Sequence, residues 1–341
     1  MRALVITEHG GPEVLKVEER PDSQQPGPGE VRVAVKAIGV NFADLMARSG
    51  LYQDAPPPPC VVGYEFAGDV ESTGDGVSEY APGQRVLGGC RFGGYAELVT
   101  TPENALVPLP DDWSYEEGAA LPVHYSTAFA GLVRYGNLRP GESVLLHAAA
   151  GGVGIASTQI AKLAGAGAIY GTASGSKHEV ISGIGVDHPI DYTRSDFRKE
   201  VRRISGSDRP LDLVMDAVGG TSFRKSYSLL AAGGRLVCFG ASSVMSGERR
   251  SLKTVARMVA TTPVFHPMPM MQSSRAVIGL NMLTLWDAKG SLDDYVEPLR
   301  KWMESGEIRP VVAEAFPLER GGDAHRFMGE RKNIGKVVLT V

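Results

Sequence analysis

The chain has 341 residues, 43% of them hydrophobic, enough for real cores in about two domains of roughly 150 residues each. A formal net charge of −4 gives no electrostatic ground for nucleic-acid binding. Cys60, Cys90 and Cys238 form neither a disulfide framework nor a C-x-x-C metal pair, and no apolar run reaches membrane-spanning length, so a cytoplasmic protein without stable membrane insertion is expected.

Residues 1–120 read as β-rich. Ala3–Thr7, Val14–Glu18 and Glu30–Ile38 are β-branched and partly alternating, and the turn clusters Gly10-Gly-Pro12 and Pro26-Gly-Pro-Gly29 separate them. A short helix is expected within Gly39–Tyr52, ending near Gly50. Strands are expected at Val61–Val70, Pro82–Leu87 and Gly94–Val99. With no sustained helical period, an irregular barrel fits this segment.

The pattern changes at Tyr115. Glu116–Gly136 is helix-rich, with a break expected at Pro122. Six buried-looking strands follow, at Ser143–Ala148, Ala168–Thr172, His188–Ile190, Leu211–Ala217, Arg235–Phe239 and Ala276–Leu280. Helical stretches alternate with them, as in βαβ units that carry ligands at the carboxyl ends of their strands. The methionines and prolines around Met258–Met271 suit either a partner-facing segment or irregular core filling. Leu292–Glu304 reads as a helix and Gly322–Met328 as a short one. Val311–Phe316 and Lys336–Val341 return to strand character.

Between the first of the six strands and the helix after it lies His147-Ala-Ala-Ala-Gly-Gly-Val-Gly154, an A-x-x-G-x-x-G pattern. Glycines remove Cβ atoms where a backbone turns sharply and a pyrophosphate approaches, and the next helix offers its free N–H groups to that anion. Ala149, Gly151, Gly152, Val153 and Gly154 are therefore candidate cofactor contacts. An acid about 20 residues past such a turn binds the ribose hydroxyls of NAD. Here that strand end carries Thr172 and Ser174, with Lys177 three residues on, which suits a 2′-phosphate and hence NADPH. Phe239, Gly240 and Ser242 follow the fifth strand and are expected to line the nicotinamide side.

The succession Asn41-Phe-Ala-Asp44, Gly63-Tyr-Glu65, Ala81–Val86, Gly94–Glu97, Ala148–Gly154, Asp216–Gly220 and Gly335–Val338 resembles the medium-chain dehydrogenase/reductase superfamily over essentially the whole chain. Within it the chain is similar to the zinc-free quinone oxidoreductase (zeta-crystallin-like) branch. Arg275–Met282 and Arg331–Lys336 are similar to its vesicle amine transport protein-like subgroup. The resemblance implies an α/β fold: a Rossmann doubly wound parallel sheet inserted into a GroES-like β-barrel domain. The boundaries expected are 1–123 for the first part of the GroES-like domain, 124–265 for the Rossmann domain (its sheet reaching about 285), and 286–341 for the return.

Zinc members of the superfamily carry a cysteine where Asn41 stands and a histidine where Tyr64 stands, so no metal is expected. The resemblance implies reduction of a quinone or an α,β-unsaturated carbonyl by NADPH, with Asn41 and Tyr52 as catalytic candidates. Tyr52 either donates a proton or only walls the pocket, where Met46 replaces a common aromatic. Tyr64 and His124 are further cleft candidates, His124 more naturally a structural histidine. The resemblance also places Tyr192 beside Lys177 on the 2′-phosphate, and Asn281 and Lys336 near the cofactor. It implies a homodimer through an edge strand at Ala276–Leu280. Two alternatives remain: an enoyl-thioester reductase with a basic entrance at Arg249, Arg250 and Lys253, or a low-activity cofactor-binding protein with a lipid or partner role.

Overall fold

In the computed structural model, which describes residues 1–244 and 252–341, the chain forms two compact units. One comprises Met1–Ser126 and Met282–Val341, the other residues 127–244 and 252–281.

In the first unit a seven-stranded sheet runs in the order Val312–Pro317, Lys336–Thr340, Glu30–Val40, Glu65–Thr73, Arg85–Gly89, Leu106–Pro108, with Leu98–Pro102 also paired to Glu30–Val40. A smaller sheet joins Leu15–Glu19, Arg2–Ile6 and Cys60–Val61. Alternating Val31, Val33 and Val35 put one face of the long strand into a core shared with Ile38, Phe66, Val86 and Leu106. The tail does rejoin this unit, Val338 pairing antiparallel with Gly39. The continuous strand expected over Val61–Val70 is interrupted, because Gly63 takes φ +98 where Tyr95 packs against its backbone.

Pro122 starts the helix Pro122–Phe129 rather than breaking one, which suits a residue with no N–H to offer. The expected helix over Leu292–Glu304 is three short pieces, Asp293–Val296, a 3-10 turn at Glu297–Leu299 containing Pro298, and Arg300–Glu304. Sequence periodicity missed the helix Met282–Lys289, which buries only Leu283 and Trp286.

The second unit contains all six expected parallel strands. Their order is His188–Asp191, Ala168–Ala173, Ser143–Leu146, Leu211–Asp216, Leu230–Cys238, Ala276–Gly279. The direction of winding reverses between Ser143–Leu146 and Leu211–Asp216, the switch point where such sheets bind ligands. Leu145, Tyr170, Leu211, Val214 and Leu236 lie in its core. Ala276–Gly279 is an edge strand. In the methionine- and proline-rich segment, helices Leu252–Thr261 and Pro267–Ser273 leave Val259, Val264, Met268 and Met271 64–78% exposed. Among the described residues no helix is long and apolar enough to cross a membrane.

Candidate cofactor and substrate sites

The glycine turn lies at the carboxyl end of a central strand. Ala148 adopts φ +52, a left-handed conformation that costs an alanine on the order of 1–2 kcal/mol. The surroundings hold it there: Ala149 N–H donates to Thr172 O at 3.0 Å, Ala148 N–H reaches Thr172 Oγ1 at 3.3 Å, and Gly151 N–H donates to Ala148 O at 2.9 Å. A Cβ on Gly154 would collide with the Ala148 carbonyl and the Ala149 backbone, whereas one on Gly151 would meet only Ala148 O at 3.3 Å. Gly154 is thus required by the fold, while Gly151 keeps open the space beside the helix N-terminus. The helix Gly152–Leu163 begins there and buries Ile155, Ala156, Ile160 and Ala161. This is a cradle that fits a pyrophosphate.

A buried hydrogen-bond chain lies under the turn. Thr172 Oγ1 lies 3.0 Å from His147 Nδ1, His147 Nε2 lies 3.0 Å from Ser226 Oγ, and Ser226 Oγ donates to Asp216 Oδ2 at 2.8 Å. Burial lowers the His147 pKa against the opposing pull of Asp216. A neutral ring that accepts from Thr172 and donates to Ser226 satisfies every member. Thr172 turns its hydroxyl inward onto His147 and the Ala148 N–H and is 2% exposed.

The other candidates of this unit fall in one row along the carboxyl ends of the strands. Ser174 follows Ala168–Ala173, and Tyr192 follows His188–Asp191, with Ala173 paired to Asp191. Lys177 closes the 3-10 turn Gly175–Lys177 directly after Ser174. Ser174, Lys177 and Tyr192 are thereby brought together, and the Tyr192 side chain is exposed. Across the switch point, Phe239 N–H bonds to Asp216 O at 3.2 Å and Ser242 N–H to Ala217 O at 2.9 Å, which sets Phe239, Gly240 and Ser242 beside the Asp216 turn. Asn281 stands just past the edge strand.

In the first unit, Asn41 caps the helix Phe42–Arg48, its N–H donating to Asp44 Oδ2 at 2.7 Å. Its side chain enters a buried polar cluster. Asn41 Nδ2 donates to Glu65 Oε1 at 2.8 Å, and Lys336 Nζ donates to Asn41 Oδ1 at 2.8 Å. Lys336 also pairs with Glu65 and donates to His124 Nε2 at 3.1 Å, while Val123 N–H donates to Glu65 Oε2 at 2.7 Å. Burial lowers the pKa of Lys336, with Glu65 opposing, and drives the His124 pKa well down. Lys336 is 1% exposed and spends its three N–H groups on Asn41, Glu65 and His124. It fixes the Asn41 amide, whose second N–H has no partner among the described residues. Glu65, at the head of an apolar strand, was not singled out from sequence.

Tyr52 is half-buried against the core together with Met46, and burial pushes its pKa up to about 12. Tyr64 is its electrostatic neighbour. The Tyr64 hydroxyl has no hydrogen-bond partner among the described residues, and burial raises its pKa too. Both phenols stay protonated at neutral pH. Deeper in, Tyr95 Oη lies 3.0 Å from both Asp44 Oδ2 and His325 Nε2, and burial raises Asp44 to about 7.

Among the described residues no group of three or more His, Cys, Asp and Glu side chains is arranged to hold a metal ion. The donor set around Asn41 does not fit zinc. It offers an amide and a phenol, and the cation seated against Glu65 and His124 is the protein's own Lys336. Arg249, Arg250 and the Lys253 side chain lie outside the described residues.

Two family models match: an alcohol dehydrogenase GroES-like domain over residues 27–111, and a zinc-binding dehydrogenase domain over residues 184–339. The synaptic vesicle membrane protein VAT-1 homolog of Danio rerio is 41% identical over 339 residues, 99% of this chain and 70% of that protein. A crystal structure of an NAD-dependent alcohol dehydrogenase is 34% identical, with a TM-score of 0.83 and full coverage of both chains. Escherichia coli quinone oxidoreductase, solved as a complex with NADPH, is 29% identical, with a TM-score of 0.86 and full coverage of both chains.

Proposed function

The chain belongs to the medium-chain dehydrogenase/reductase superfamily, in the group of the VAT-1 homologues, and from that premise we propose that it is a zinc-independent, NADPH-dependent reductase of quinones or α,β-unsaturated carbonyls. The observation that carries this reading is the meeting of Ser174, Lys177 and Tyr192 at two adjacent strand ends, in the same sheet as the strand that leads into the glycine cradle. When bound, NADPH supplies a hydride from nicotinamide C4. The chain supplies position and protons. Gly151–Gly154 receive the pyrophosphate. Ser174, Lys177 and Tyr192 receive the 2′-phosphate. Asn41, held by Lys336 and Glu65, turns its open N–H to the acceptor oxygen, and Tyr52 donates a proton.

Fluorescence titration tests the cofactor assignment. Lys177→Ala is expected to weaken NADPH binding roughly tenfold or more, the loss of one charge-assisted contact, and to leave NADH nearly unchanged. Equal losses for both remove Lys177 from the phosphate site. Tyr52→Phe tests the acid. Enone turnover is expected to fall at least about a hundredfold and quinone turnover less, because the reduced quinone takes protons from water. If neither changes, Tyr52 is a wall of the pocket. The reading includes a homodimer through the edge strand Ala276–Gly279, which sedimentation showing only monomer overturns.

A second reading, a low-activity cofactor-binding protein that docks on a lipid or partner surface, draws on the exposed Val259, Val264, Met268 and Met271. Turnover no faster than solution background across quinones and enones favours it.

A further inference from the structure

We propose that Asp191 is a positioning residue that braces the Gly175–Lys177 turn as a preformed cup for the cofactor's 2′-phosphate, and is not a ribose-binding acid. The inference rests on the NADPH reading above. The strand that ends at Ser174 has no acid at its end, but its parallel neighbour ends in one. Asp191 pairs with Ala173, so its carboxylate stands beside the turn. A carboxylate in this region is the usual partner of the ribose 2′-hydroxyl of NAD and would repel a phosphate dianion, so its hydrogen bonds decide which cofactor the site suits.

Those bonds are committed to the protein. Oδ1 accepts from Thr193 N–H at 2.9 Å and from Thr193 Oγ1 at 2.6 Å. The carboxylate also accepts from Gly175 N–H, and Oδ2 lies 3.6 Å from Arg194 Nε. A carboxylate has about four lone-pair sites; three donors bond this one, and Arg194 stands at ion-pair distance. The Thr193 bonds come first among the influences that hold the Asp191 carboxyl below the ordinary range, so it stays ionised and acceptor-only.

The brace is close-fitting. A Cβ on Gly175 would stand 2.7 Å from Asp191 Oδ2, so glycine is what lets the turn reach the carboxylate. Lys177 N–H closes the same turn on Ser174 O at 2.9 Å. The Asp191 carbonyl in turn accepts from Arg194 N–H at 3.3 Å and Ser195 N–H at 3.1 Å, tying down the loop that carries Tyr192. One residue thus fixes both walls of the cup, with Ser174 and Lys177 on one side and Tyr192 on the other. Its charge is balanced by backbone N–H groups, Thr193 and the exposed Arg194, which leaves the net field favourable to a phosphate.

The test is titration of wild type, Asp191→Ala and Asp191→Asn with NADPH and with NADH, alongside thermal melting. The brace predicts that Asp191→Ala weakens NADPH at least tenfold and NADH less than threefold. Asp191→Asn, which keeps one acceptor oxygen, should recover much of the NADPH loss. A ribose-binding acid predicts the opposite sign: Asp191→Ala weakens NADH more and tightens NADPH. That result overturns the inference. Equal weakening for both cofactors with a lowered melting temperature also overturns it, in favour of a merely structural role. The two readings fail separately: wild type preferring NADH removes the phosphate cup altogether, whereas wild type preferring NADPH with the opposite-sign Asp191→Ala result removes only the brace.

Discussion

Replacing Lys336 by methionine probes how the first unit supports the Asn41 amide. Lys336 and Glu65 are 1% and 0% exposed, so deleting the ammonium leaves a carboxylate in the core with, among the described residues, Asn41 Nδ2 and Val123 N–H as donors. Removing one partner of a buried pair costs about 3–5 kcal/mol, because the remaining charge is uncompensated. For a unit of this size, each kcal/mol moves the melting temperature by about 2–4 °C, so thermal unfolding by circular dichroism should fall by on the order of 10 °C. The same change frees Asn41 Oδ1 and His124 Nε2, so kcat/KM should fall even in the fraction that stays folded. The double variant Lys336→Met/Glu65→Gln removes the stranded charge, and its melting temperature should recover by more than half. A double variant no more stable than the single one, or a single variant within about 1 kcal/mol of wild type, refutes the reasoning.

Three further outcomes are expected. Gly154→Ala gains roughly 1 kcal/mol of helix propensity but collides with the Ala148 carbonyl, so net destabilisation and loss of cofactor binding should appear together in melting and titration. Gly151→Ala should melt like wild type and still lose NADPH affinity, since its Cβ meets little but the space kept for phosphate. The pH dependence of stability carries the signature of Asp44. Its folded pKa, raised to about 7, lies above the ordinary 3.8, so the folded state holds a proton that the unfolded state has lost. Its contribution is full below about pH 4 and declines as pH rises towards 7. Asp44→Asn should flatten that slope in denaturant titrations, and an unchanged slope assigns it to other groups.

The elements legible in sequence are those in which local chemistry and tertiary role agree. The β-branched run at Glu30–Ile38 and the central strands Ser143–Leu146, Ala168–Ala173, Leu211–Asp216 and Leu230–Cys238 became strands because their buried faces demanded it, while His188–Asp191 and Ala276–Gly279 pair at the edges of the same sheet. The glycine turn was legible because a missing Cβ is a property of one residue. The buried pairing of Lys336 was not legible because its partner Glu65 lies 271 residues away. Each charge, seen alone, looks like the solvated end of a strand. The inward bonding of Thr172 was hidden for a related reason: where a strand-end hydroxyl turns depends on what waits inside, here His147. Asp191 was passed over because the search for an acid followed one strand, while parallel pairing brings in the end of the next. Position along the chain put the candidates in one row at the strand ends, whereas side-chain direction came only with the packed structure.

The central claim is hydride transfer from NADPH to an electron-poor acceptor. Steady-state loss of NADPH absorbance by the purified protein, with a panel of quinones and enones and with NADH in parallel, tests it most directly. The account predicts turnover well above solution background for at least one acceptor class, with kcat/KM for NADPH at least tenfold above that for NADH. Background rates across the panel, or equal use of the two cofactors, contradict it.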